Sequence, residues 1–215
     1  MIPARLGSQR LKRKNLCLCG GLPLIARAIR KCKAAGVFDE IWVNTESDEI
    51  GNLAIDEGVG YHKRPAKLSA NNATSEQFVY EFLKQHQCAH LIQVHSIAPL
   101  LGARTVREFA ESFVKSDYDV LLAAIERQIE CMLEGKPINF TFDRKTNSQE
   151  LSPVQVITWS ITGWRAASYV AGYEQGRTAT YYGKVGVFPV SAVSGHVIKT
   201  AQDLRMAEQL LGLAA

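Results

Sequence analysis

The chain has 215 residues, 47% hydrophobic and 21% charged, with a net charge of +4. These are the proportions of a globular protein with a large core, not of a disordered or fibrous one. No apolar run reaches membrane-spanning length and no charged-then-apolar leader precedes a cleavage site, so we expect a cytoplasmic protein with no membrane partner.

Along the chain, β-rich runs alternate with helical patterns, which predicts a mostly parallel sheet covered by helices. Strands are expected at Met1–Ala4, Glu40–Asn44, Gly60–His62, His90–Val94 and Asp119–Ala124. Helices are expected between them, at Leu22–Ala35, Ser47–Glu57, Thr74–Gln85 and Ala103–Lys115. Val106, Phe109, Ala110 and Phe113 recur at helical spacing, as do Phe78, Phe82 and Leu83, and read as core. From Cys131 to Ser152 the character changes, and Glu134 to Ser148 reads as two short strands around a polar turn. Ile138, Phe140 and Phe142 alternate there with polar residues and have no obvious helix to cover them, a pattern that predicts a homodimer. A strand at Thr178–Val190 and a helix at Thr200–Leu213 complete the chain, the helix opened by Thr200 and Asp203 as a capping box. One domain is expected, with the 131–152 excursion inside it.

The first 38 residues hold nine basic residues and no acidic one. Five of the nine fall between Arg5 and Asn15, directly after the first strand. A loop at the carboxyl end of such a strand is where α/β sheets bind ligands. Gly7 lets the main chain approach closely, Ser8 offers a donor, and Arg10, Lys12, Arg13 and Lys14 can neutralise a polyanion. Charge this modest and local suits a small anionic substrate rather than nucleic acid. The five cysteines (Cys17, Cys19, Cys32, Cys88 and Cys131) are odd in number and scattered, and Cys17-x-Cys19 lacks a second ligand pair. Reduced thiols fit better than a zinc site.

Neither common phosphate loop, Gly-x-x-x-x-Gly-Lys-Ser/Thr nor Gly-x-Gly-x-x-Gly, is present. What stands there instead, Ile2-Pro-Ala-Arg-x-Gly-Ser-x-Arg-Leu-x-x-Lys-Asn15, resembles the signature of the cytidylyltransferases that activate sialic and related nonulosonic acids. That resemblance implies a three-layer, Rossmann-like α/β nucleotidyltransferase fold. It also implies that CTP and an acid sugar are joined into a CMP-sugar with release of pyrophosphate. It carries nucleotide contacts onto Arg5 and Ser8, and a lysine–asparagine pair onto Lys14 and Asn15. With Gly7 beside them at the nucleotide, Arg5, Ser8, Arg10 and Lys14 are the residues expected to hold the triphosphate. A second block, Lys63-Arg-Pro-Ala-Lys-Leu-Ser-Ala-Asn-Asn-Ala-Thr-Ser75, is similar to another family segment and assigns Arg64 and Ser75 to the nucleotide, with Asn71 where an aspartate is usual. A third, Leu91-Ile-Gln-Val-His-Ser-Ile-Ala-Pro-Leu100, matches Gln93 to a glutamine near the base. Its loop is two residues longer than the family's and carries His95. Through the same resemblance, the 131–152 excursion forms a dimer contact that closes over the partner's sugar site.

His95 and Gln155, with Trp159 and Trp164 as an apolar wall and Arg144 and Lys145 as cations, make a weaker constellation for an acid sugar. Core packing accounts for at least one of the tryptophans equally well.

One departure cuts across the resemblance. The family's closing Asp-x-Asp-Thr-x-x-Asp-Leu reads Val197-Ile-Lys-Thr-Ala-Gln-Asp-Leu204 here, so both aspartates that hold Mg²⁺ are replaced. No protein-held metal is expected, and any Mg²⁺ would arrive with the triphosphate. Lys199 then either takes over part of the metal's electrostatic work, or the protein is a catalytically impaired nucleotide- or sugar-binding homologue. A transferase for a different acid acceptor is the third expectation.

Overall fold

The computed structural model describes residues 1–213. Its sheet is built around β1 (Ile2–Pro3), which pairs in parallel with β4 (Trp42–Thr45), itself parallel to β5 (Gly60–Lys63). On its other side β1 meets β6 (His90–Val94). The Met1 amino group donates to the Ile92 carbonyl at 2.8 Å, and the Val94 N–H donates to the Met1 carbonyl at 3.1 Å. Pro3 has no N–H to extend that ladder, so the two strands part where their loops begin. Beyond β6 lie β10 (Val154–Arg165), antiparallel, then β7 (Val120–Arg127) and β11 (Val185–Pro189). The resulting order is β5-β4-β1-β6-β10-β7-β11.

Alternate residues of the strands feed two apolar layers. On one face Val43, Ile92, Val94, Leu121 and Ile161 pack under α1 (Leu24–Ala35), α2 (Asp48–Asp56) and α4 (Ala103–Lys115). On the other, Leu91, Val120, Leu122 and Trp164 pack under α3 (Ser75–Gln85) and α5 (Ala166–Glu174). A three-layer α/β architecture results, as expected. α6 (Ala201–Leu213) lies apart, its Leu204, Ala207 and Leu211 packed with Cys19, Leu24 and Ile198.

Several elements differ from expectation, each for a local reason. The cation loop does not run into α1. A hairpin of β2 (Leu18–Cys19) and β3 (Leu22–Pro23) intervenes, turned by Gly20 and Gly21 at φ of 57° and 76°. α1 therefore starts after Pro23 and is not the helix onto which that loop opens. The excursion's hairpin is shorter and earlier than predicted, β8 (Met132–Leu133) with β9 (Lys136–Pro137), turned by Glu134 and Gly135 at φ of 50° and 77°. The expected strand at Thr178–Val190 begins only at Val185, because Ala179–Tyr181 forms a 3₁₀ turn.

β10 and α5 were not foreseen. The two-residue alternation of β10 breaks where its register against β7 shifts between Ile157 and Thr162. α5 carries Gly172 in its interior, where a Cβ would stand 2.6 Å from the Tyr182 ring; packing rather than helix propensity holds it.

Beneath the site, Lys31 of α1 is buried and donates to the Ala98 carbonyl in the loop after β6. Burial lowers its pKa from 10.5 to about 8. The unfolded chain keeps the proton up to the higher value while the folded chain sheds it near the lower one, so this group makes folding more favourable as pH rises between them. Denaturant unfolding at pH 7.5 and 9.5 should show that rise in the native chain relative to Lys31→Met, in which it is absent.

Candidate functional site

The candidate site begins where β1 ends. Residues 5 to 14 pass over the carboxyl edge of the sheet, with Arg5 and Lys14 half-buried and Arg10 and Lys12 exposed. Burial lowers the Lys14 pKa, and the charges of Arg10, Arg5 and Lys199 lower it further, with Asp203 alone pulling back. Four cations thus crowd one spot from two segments far apart in sequence. Lys199 reaches it because Ile198 is fully buried and packs with Leu11 of the cation loop, while the Ile198 N–H donates to the Ile97 carbonyl at 2.7 Å. Four like charges gathered beside a single acid are costly unless an anion joins them. A Cβ on Gly7 would meet nothing within 4 Å and the residue has no positive φ, so the fold does not itself require glycine there. Arg13 sits apart, its backbone left-handed at φ 52° and its guanidinium paired with Glu49.

Internal bonds hold this loop. The buried Asn15 donates to the Arg5 carbonyl at 2.8 Å and accepts from the Ser96 hydroxyl at 2.6 Å, joining the loop after β1 to the loop after β6. Glu46, just after β4, accepts from the Leu6 N–H at 2.8 Å and from the Ser69 hydroxyl at 2.9 Å. Arg5 Nη1 donates to Asn71 Oδ1 at 3.3 Å, so the residue standing in place of a family aspartate still meets the loop arginine.

A second feature adjoins the first. Ser75, Gln93, His95, Trp159 and Trp164 line a single cavity of about 210 Å³. Expectation divided these five between base and sugar, yet the fold brings them together. Its remaining wall comes from Val79, Ile97, Tyr169 and Thr180, and of these Tyr169 lies on the unforeseen α5. No lining residue is an acid, a lysine or an arginine. The Nε2 atoms of Gln93 and His95 are buried without a hydrogen-bond partner. Burial, and after it the Lys14 charge, presses the His95 pKa down to about 4, so the ring is neutral at physiological pH. Trp164 is also core, 2% exposed, its Nε1 donating to the Thr180 carbonyl at 3.1 Å.

A cytidylyltransferase family model matches residues 1–203. The chain belongs to the cytidylyltransferase family. N-acylneuraminate cytidylyltransferase A of Danio rerio is 31% identical over 154 residues, covering 71% of this chain and 35% of that protein. Pseudaminic acid cytidylyltransferase of Campylobacter jejuni is 33% identical over 132 residues, covering 59% of this chain and 57% of that protein. The chain thus spans from about a third to just over half the length of these two relatives. A solved CMP:2-keto-3-deoxy-manno-octonic acid synthetase complexed with CTP shares the fold, with a TM-score of 0.76 at 16% identity over 100% of this chain and 98% of that one. The same is true of 4-diphosphocytidyl-2C-methyl-D-erythritol synthase from Anaerococcus prevotii, with a TM-score of 0.68 at 14% identity.

Three residues take places that the sequence did not suggest. Arg64, expected to approach a nucleotide, is 3% exposed; it donates to the Asn44 side chain and carbonyl and lies 4.0 Å over the Phe78 ring. Burial lowers its pKa to about 10, so it stays charged, but it braces β4 from beneath rather than lining the site. Gln155 is exposed and donates to Glu126 across the β7–β10 pair, away from the cavity. Asn15 is wholly engaged in joining the two loops.

The residues do not fit a protein-held Mg²⁺. At the two expected ligand positions stand a half-buried Val197 and an exposed Lys199. Asp203 is occupied as the cap of α6, accepting from the Lys199 and Thr200 N–H groups at 2.9 and 2.7 Å. Among the described residues no group of three His, Cys, Asp or Glu side chains is placed to hold a metal.

Because Asn15 joins the two loops from a buried position, Asn15→Ala should lower stability by about 1–3 kcal/mol, the cost of leaving buried polar partners unmet. Thermal melting of the ligand-free chain measures this, and a melt equal to the native one would remove Asn15 from the role described.

Proposed function

We propose that this chain transfers CMP from CTP to a nonulosonate-type acid sugar and releases pyrophosphate. The observation that carries the reading is the crowding of Arg5, Arg10, Lys14 and Lys199 at the carboxyl edge of the sheet, beside an uncharged cavity, in a chain of the cytidylyltransferase family. The relatives named for N-acylneuraminate and pseudaminic acid support an acid of that class, and the solved synthetase with CTP supports the nucleotide.

In this reading an acceptor hydroxyl attacks the α-phosphorus and gives up its proton to water, a new P–O bond forms, and the bond from the α-phosphorus to the oxygen of the β-phosphate breaks as pyrophosphate leaves with the electron pair. The protein's work is to align the two and to neutralise the leaving group. Lys14 and Arg5 are half-buried, so their charges act through less water than those of Arg10 and Lys199. Ser8 and the open face of Gly7 leave room for the phosphates. No step is assigned to a metal; Lys199 contributes charge without the fixed multi-oxygen geometry of a divalent ion. The loss of both family aspartates favours a second reading, a homologue that binds nucleotide or sugar without turnover.

One assay separates the two. Pyrophosphate release from CTP should be seen with a nonulosonic acid in the native chain and should persist in chelator. Arg5→Ala and Lys14→Ala should each weaken calorimetric CTP binding by about 1–3 kcal/mol, the range for a charge-assisted hydrogen bond. Binding without pyrophosphate release from any acid would establish the non-catalytic reading. Release abolished by chelator and restored by Mg²⁺ would refute the role given to Lys199.

A homodimer belongs to the same proposal, in a cytoplasmic setting that suits five free cysteines. The free ends of β7 and β10 and the hairpin beyond them leave Ile129, Met132, Leu133, Ile138, Phe142 and Val156 exposed. A surface of this kind on a monomer would be a liability unless covered by a partner. Light scattering at micromolar concentration should give twice the 23.8 kDa chain mass, and Phe142→Asp with Leu133→Asp should shift it to the monomer.

A further inference from the structure

We infer that Trp159 sets the size limit for an uncharged branch of the acceptor, and that His95 and Gln93 hold that branch by hydrogen bonds. The inference rests on the cytidylyltransferase reading and names the part of the acceptor that the cavity takes.

Trp159 is the key residue because its backbone is out of character. Its φ is 56°, a left-handed conformation that glycine adopts freely and a tryptophan does not. The neighbours enforce it. Thr158 donates from its hydroxyl to the Ala123 carbonyl at 3.2 Å, and the Ser160 carbonyl accepts from the His95 N–H at 3.0 Å. Between those anchors the strand bulges, since its register against β7 shifts between Ile157 and Thr162. Bulges of this kind re-aim side chains next to functional sites. Core packing does not account for the strain. Trp159 belongs to neither apolar layer of the sheet, is only half-buried, and has its nearest ring, the exposed Tyr181, 6.3 Å away between centroids. A strained bulky residue with little core burial, aimed at a cavity, points to a ligand.

The chemistry of the cavity selects the ligand group. Its walls carry no acid, lysine or arginine, so a carboxylate or phosphate would be desolvated there without a counter-charge. Gln93 Nε2 is a donor in need of an oxygen, and the neutral His95 ring presents a second unpartnered nitrogen. At about 30 Å³ per water-sized group, the cavity of about 210 Å³ holds roughly seven such groups. That is room for an acylamino or hydroxyalkyl branch, not for a whole acid sugar. The pyrimidine base is the rival occupant. The branch is favoured because His95 lies in a loop two residues longer than the related motif, and a feature peculiar to this chain suits the part of the ligand that varies among relatives named for different acids better than the cytidylyl group they share.

The test compares two nonulosonic acids that differ only in the length of one neutral acyl branch. In Trp159→Gly, which removes both the strain and the wall, kcat/KM for the longer branch relative to the shorter should rise about tenfold or more. Calorimetric affinity for CTP alone should stay within about twofold of native, because this residue meets only the acceptor. His95→Phe keeps the ring but not the nitrogen, and should lower kcat/KM for both acids about tenfold with CTP affinity unchanged. If the native chain binds acids without turnover, the same ratios are read from calorimetric Kd values. A branch-length ratio equal to native in Trp159→Gly overturns the inference. Should that variant not fold, native acceptor kinetics in His95→Phe overturn it instead. A fall in CTP affinity with the acceptor ratio unmoved would assign the cavity to the base. By contrast, a native chain that binds neither CTP nor any acid would retire the parent reading itself.

Discussion

The amide of Asn15 spans the loop after β1 and the loop after β6, donating to the Arg5 carbonyl and accepting from the Ser96 hydroxyl. The Ser96 bond is buried and the Arg5 bond partly so, and away from water a hydrogen bond is stronger and its loss more costly. Much of the site is arranged around this one side chain. Arg5 and Lys14 flank it on the cation side, and His95 precedes Ser96 on the cavity side. Pro3 makes such a tie necessary: it lacks the N–H that would continue the β1–β6 ladder, so the strands separate and side chains must span the gap. The opening that admits a ligand and the bond that steadies its rim share one cause.

Charge is sorted along that rim. Cations gather over the sheet edge, and the acids near them are engaged: Asp203 in capping α6, Glu46 with the Leu6 N–H and the Ser69 hydroxyl, and Glu49 with Arg13. Uncharged donors and aromatic walls line the cavity behind them. A ligand carrying a strongly anionic segment and a neutral, hydrogen-bonding branch would fit both at once. Depression of the His95 pKa to about 4 keeps the division sharp, because a protonated ring would add a fifth positive charge next to Lys14. Arg64 shows the same economy in reverse: a cation expected at the site lies over the Phe78 ring and serves Asn44.

The legible parts of the sequence were those governed by local rules. α4 and β6 fall on their expected bounds because Val106, Phe109 and Phe113, and then Leu91 to Val94, each follow one clean periodicity. Ser47 and Thr74 cap α2 and α3 through their hydroxyls, and Thr200 and Asp203 cap α6 reciprocally, as short-range signals allow. The cation loop and Gln93 were also visible through motif spacing, and His95, Trp159 and Trp164 through the chemistry of their side chains. What escaped was nonlocal. The insertion of β10 between β6 and β7 depends on pairings with residues 27 to 75 positions away, and its bulge scrambles the alternation that would announce it. Tyr169 and Thr180 could be placed at the cavity only once that strand was known, and Gln155 could be removed from it only on the same ground.

β10 also divides in two at its bulge. Val156 and Ile157 lie exposed on the ribbon shared with β7, while Trp164, near the other end of the strand, is sunk in the core. One residue, Thr158, separates the exposed stretch from Trp159. The strand is therefore two stretches on different footings, one held by the ladder at the surface and one by apolar packing, and the indole stands where they meet. Trp159 belongs to neither footing, so the wall it gives the cavity is the part of the strand that the sheet itself specifies least.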